Sequence, residues 1–98
     1  MVKDRTIHEL LKHLTDKFGV DSFIVRDHWD ADLCAIGIEN VNGKYLLYLN
    51  SYGRPRHHFY LDLENVSDPD QSVVLESQER VSLETIDEFF ELYILRSP

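Results

Sequence analysis

Ninety-eight residues, 43 % apolar and 11 % aromatic, suffice for one packed domain, and so rich a supply of core-forming side chains argues against global disorder. A formal charge of −8 argues against nucleic acid or an anionic membrane as partner, because affinity for phosphate arrays comes from cations. A single cysteine, Cys34, excludes an intrachain disulfide, no Cys/His pattern suggests zinc, and no apolar run approaches the roughly 18 residues of a membrane span.

The first predicted element is a helix. Thr6 and Glu9 have capping-box spacing, Ile7, Leu10, Leu11, Leu14 and Phe18 form one apolar stripe, and Gly19 supplies a left-handed stop. The segment MVKDRTIHELL enters this pattern at once and has no basic-then-apolar leader, so the chain reads as a cytoplasmic protein with a single α+β domain over 1–98.

From residue 22 onward the hydrophobic period falls from about 3.6 to 2. Ser22 to Arg26, Leu33 to Glu39, Lys44 to Asn50, His57 to Leu63 and Ser72 to Gln78 read as five strands. Short turns join them, including Asn42-Gly43, read as a type I′ hairpin, and Asp68-Pro69-Asp70. Connections this short favour an antiparallel meander, since parallel crossovers need about a dozen residues or more.

Alternation assigns Phe23, Val25, Cys34, Ile36, Ile38, Tyr45, Leu47, Leu49, Phe59, Leu61, Leu63, Val73 and Leu75 to an inner, core-forming face. The outer face collects Ile24, Arg26, Leu33, Ala35, Glu39, Leu46, Tyr48, Asn50, His58, Tyr60, Asp62, Val74 and Glu76. That mixture of aromatic and polar side chains is the composition of a contact surface. A closing helix follows, capped by Ser82, with Leu83, Ile86, Phe89, Phe90, Tyr93 and Ile94 on its apolar side and Glu84, Asp87, Glu88 and Glu91 largely opposite. The fold expected is an antiparallel meander of about five strands with both terminal helices packed on one face.

The charge is unevenly distributed. Residues 1–60 carry eight acidic and eight basic side chains, whereas residues 61–98 carry ten acidic against two basic, Arg80 and Arg96. An acidic C-terminal surface favours a basic protein partner. Tyr48, His58, Tyr60 and Asp62 on the outer face, with Glu84, Asp87, Glu88 and Glu91 on the last helix, are the candidate contacts.

The cluster Arg54-Pro55-Arg56-His57-His58 offers an alternative, an anion or small-ligand site built on Arg54, Arg56 and His58 beside Tyr60. A homodimer through the outer face is another. Catalytic motifs are lacking: no Gly-x-Ser-x-Gly elbow or phosphate loop occurs, and Cys34 reads as a buried strand residue. The His28-Trp29-Asp30-Ala31-Asp32 loop places three potential metal ligands close together, but it lacks the glycine and terminal glutamate of a calcium loop and reads as a solvated turn. No cofactor is implied.

The segment Lys44-Tyr45-Leu46-Leu47-Tyr48, the turn at Gly53, the strand Phe59-Tyr60-Leu61 and the closing helix Ser82 to Leu95 together resemble the layout of small acidic bacterial immunity proteins that neutralise toxins. The resemblance spans about half the chain and implies a non-enzymatic inhibitor of a basic protein. Type III secretion chaperones are similar in size and acidity but carry an extra internal helix.

Overall fold

The structure, a computed structural model, describes residues 1–96. Helix α1 (Arg5–Phe18) is followed by a short 3-10 turn (Val20–Ser22). Five strands come next: β1 (Ile24–Arg26), β2 (Ala35–Glu39), β3 (Tyr45–Asn50), β4 (His58–Asn65) and β5 (Val73–Ser82). Helix α2 (Leu83–Phe89) closes the chain and continues as a π-helical segment, Phe90–Leu95. The strands form one sheet in the order β1-β2-β3-β4-β5, every neighbour antiparallel, as the short connections require.

The cap of α1 differs from the sequence reading. Asp4, not Thr6, is the N-cap, and its carboxylate accepts from the backbone N–H and the hydroxyl of Thr6. Thr6 is left to share a hydrogen bond with Ser51 Oγ at 2.6 Å, which ties the start of α1 to the end of β3. Gly19 ends the helix at φ 98°, and Ser82 caps α2 by accepting from Thr85 N.

Ile7, Leu10 and Leu14 of α1 share one buried cluster with Ile36, Ile38, Leu47, Leu49, Phe59, Leu61 and Leu63 of the sheet and Ile86, Phe89, Phe90 and Ile94 of the C-terminal helical segment. Phe90 anchors it, stacked on Phe18 at 4.3 Å between centroids and edge-on to Phe23 at 5.5 Å.

Three details of the sheet depart from simple alternation. The β2–β3 turn is not type I′: Asn40 C=O accepts from Gly43 N, and Gly43 alone in it has positive φ (70°), the pattern of a type I turn closed by a left-handed glycine. His57 adopts φ 63° in the β3–β4 turn, so β4 begins only at His58. Strand β5 ends four residues later than expected, at Ser82 rather than Gln78, runs directly into α2, and carries two register shifts against β4. The shift between Leu63 and Glu64 leaves Leu75 as an extra, unpaired residue and sets Glu76 opposite Leu63 on the core side, reversing the sequence assignment of Glu76. As an edge strand β5 leaves Val73 and Leu75 about half exposed. Val25 is likewise partly exposed on the β1 edge, and Cys34 lies outside the strand at intermediate burial.

Candidate functional site

Register places the outer face in rows across the sheet. One row is Ile24, Glu39, Leu46, Glu64 and Val74; the next is Arg26, Gly37, Tyr48, Asp62 and Ser77; a third joins Ala35, Asn50 and Tyr60. Tyr48, Tyr60 and Asp62 therefore meet on one surface, as the alternation predicts. Tyr60 OH donates to Asp62 at 2.7 Å, Ser77 Oγ donates to the same carboxylate oxygen, and the Tyr60 and Tyr48 rings sit edge to face at 6.2 Å. The bond to Asp62 raises the Tyr60 hydroxyl above the ordinary tyrosine pKa, since ionising it would put two negative charges side by side.

The β1–β2 loop folds back over this face. The Trp29 indole packs on Gly37, against which a Cβ would stand only 3.0 Å from the ring, and lies 5.0 Å from Tyr48 between centroids. Trp29 borders a cavity of about 450 Å³ whose lining includes His28, Leu46, Val66 and four carboxylates: Glu39, Glu64, Asp68 and Asp70. On the other side of Tyr48, a shallower recess of about 340 Å³ is lined by Asp32, Tyr48, Asn50, Tyr52, Arg54 and Tyr60.

The carboxylates of the larger cavity are not equivalent. Glu39 is paired with Arg26 Nη2 at 3.1 Å. Glu64 is half-buried and has no cationic partner among the described residues, so desolvation first and the nearby Asp62 charge second push its carboxyl above the usual glutamate range. Asp68 and Asp70 lie exposed in the β4–β5 turn, where Asp68 Oδ1 accepts from Asp70 N.

Elsewhere the candidate residues separate. Asp87 is buried rather than outward, held by Lys17 Nζ at 2.8 Å and by His13 Nε2, which donates at 2.8 Å. The Asp87 carboxylate raises the Lys17 ammonium above its ordinary value. Glu84 and Glu88 are exposed on α2 and Glu91 is half-buried in the π-helical segment that follows it; both elements bury their apolar side in the core, so the sheet stands between these carboxylates and Tyr48, Tyr60 and Asp62. The ten C-terminal carboxylates thus do not make one continuous patch.

The anion site does not assemble either. Arg54 lies over the Tyr60 ring at 5.5 Å and donates to the carbonyls of Glu79 and Tyr52, while Arg56 pairs with Glu9 of α1 at 2.9 Å. The two guanidiniums thus turn to different elements, Arg54 to β5 and Arg56 to α1, and His58 turns its Nδ1 to the Arg56 carbonyl. Among the described residues no group of three His, Cys, Asp or Glu side chains is arranged to hold a metal ion, and no helix is long and apolar enough to cross a membrane.

The sequence reading missed Trp29 as a site residue because it took residues 28–32 as a solvated turn, and missed Glu64, Asp68 and Asp70 because it ended the fourth strand at Leu63 and left the residues beyond it to the β4–β5 connection. The available signal was parity: Glu64 continues the Tyr60, Asp62 alternation on the outer face. In comparisons with known proteins, the chain matches no family model, no curated protein and no solved structure.

Proposed function

We propose that the chain is a non-enzymatic interaction module that holds a cationic segment of a protein partner against its outer sheet face, in the manner of an immunity or inhibitor protein. One observation carries the reading: Glu64 is a half-buried carboxylate with no cationic partner among the described residues, set in a cavity with Asp68, Asp70 and an indole wall. A carboxylate desolvated without a partner destabilises the fold, and an arriving lysine or arginine relieves that cost. Trp29 adds a π-face for the same cation. The solvent side of α2, with Glu84 and Glu88, is a weaker docking surface because Asp87 beside them is already neutralised. A second copy fits the outer face poorly, since it would bring another Glu39, Asp62 and Glu64 against the first.

The test is calorimetric titration with an arginine- and lysine-rich decapeptide at low and high salt. Binding that weakens as salt rises, and that falls at least tenfold in Glu64→Lys, supports the reading. Equal affinity in wild type and Glu64→Lys, or no binding to either, rejects it.

A further inference from the structure

The loop that resembled a metal-binding turn does enclose a cation, but one supplied by the chain itself. The Lys3 side chain is fully buried, and its ammonium meets Asp27 Oδ1 at 2.7 Å, Asp32 O at 2.8 Å and Trp29 O at 3.0 Å. Three N–H donors thus face three oxygens. Lys3 in turn draws the Asp27 carboxyl below the ordinary aspartate range.

We propose that Lys3 is the positioning residue of the outer-face site, a latch whose ammonium fixes the β1–β2 loop so that Trp29 stands as the wall of the acidic cavity. The residue whose carbonyl Lys3 grips is the one whose indole lines the cavity. The loop has few other anchors: Asp30, Ala31 and Leu33 are exposed, and among the described residues its further ties to the body include Asp4 N to Leu33 O at 2.9 Å, Ser51 N to Cys34 O at 3.0 Å, Asn50 Nδ2 to Asp32 Oδ2 at 3.0 Å and the Trp29 contacts, of which only the last hold the Trp29 end of the loop. Removing the ammonium leaves two carbonyls and a carboxylate turned toward one another with nothing between them, which favours an open loop. The latch lies 26 residues from Trp29 along the chain and does not line the cavity itself. Its effect on partner binding rests on the function proposed above; its effect on Trp29 does not.

Trp29 is the only tryptophan, so its emission reports this loop alone. Lys3→Met is expected to shift the emission to the red and to raise acrylamide quenching several-fold at a temperature where far-UV circular dichroism still matches wild type. Should Lys3→Met fail to fold, Asp27→Asn, which keeps Lys3 and its two carbonyl acceptors and removes the one carboxylate charge that meets it, is expected to give the same change at smaller amplitude. Unchanged emission and quenching in the folded variant overturn the latch. With the decapeptide as probe, a moved Trp29 signal with at least tenfold weaker binding supports the positioning role, and a moved signal with unchanged affinity overturns it. If wild type does not bind the peptide, the proposed function fails and the emission result alone decides the latch.

Discussion

Trp29 and Gly37 are in direct contact across the outer face: a methyl group on the Gly37 α-carbon would stand 3.0 Å from one indole carbon, 3.1 Å from another and 3.2 Å from the Arg26 carbonyl. Gly37 is needed for space rather than for backbone freedom, because its φ is not positive. Gly37→Ala is therefore an overpacking substitution, expected to cost about 1–3 kcal/mol and to displace the indole. Urea unfolding followed by circular dichroism measures the first effect, and the emission maximum of the folded variant measures the second. A variant indistinguishable from wild type in both would show that the ring does not rest there.

Glu64 gives the opposite sign. A carboxyl whose pKa is raised on folding binds its proton more tightly in the folded state, so stability falls as pH rises through the window between the unfolded and folded values, and the loss persists above it. Glu64→Gln is expected to raise the melting temperature at pH 7 and to lose that advantage at pH 3, where both forms are neutral. The same variant should bind the basic decapeptide more weakly, a trade of function for stability. A melting temperature lowered at pH 7 would contradict the environment assigned to Glu64.

Asp27 titrates in the other direction. Lys3 depresses its folded pKa, so its contribution is fully present above the ordinary aspartate value near about 4 and is lost as pH falls through the lower folded value. Acidification below pH 4 should therefore expose Trp29 through loss of the Lys3 pairing, and in Asp27→Asn the exposure should already be present at pH 7. Acrylamide quenching across pH 2–7 reads this directly; superimposable curves for wild type and Asp27→Asn would count against it.

Phe90 carries the core contact between the two helical regions, fully buried between Phe18 and Phe23. Phe90→Ala is expected to cost about 3–5 kcal/mol, comparable to the whole stability of a marginal domain. Chemical unfolding is the measurement, and a loss below 1 kcal/mol would mean that this site is not packed as described.

Much of the architecture was legible because it is encoded between near neighbours. The Ile7, Leu10, Leu14 stripe, the Ser82 cap and the alternation through Tyr45 to Asn50 each depend on residues within a turn or two, and the structure retains all three. Strand β5 was read less well. Its two register shifts against β4 arise from pairing across the sheet, and no spacing within Val73–Ser82 announces them. The site was half legible for the same reason: alternation put Tyr48, Tyr60 and Asp62 on one face, but the loop that roofs them is irregular and has no period to read.

Charge shows the division most clearly. The sequence by itself determined the inventory of this protein: five strands in meander order, two amphipathic helices, and an excess of carboxylates in the last third. Only the tertiary structure decided which of those charges remain available. Asp87 meets His13 across 74 residues, Arg56 meets Glu9 across 47 and Lys3 meets Trp29 across 26, whereas Glu64 meets no cation among the described residues. Periodicity acts over a few residues of chain, while a Coulomb pair acts over a few ångströms of space, and only folding converts one distance into the other.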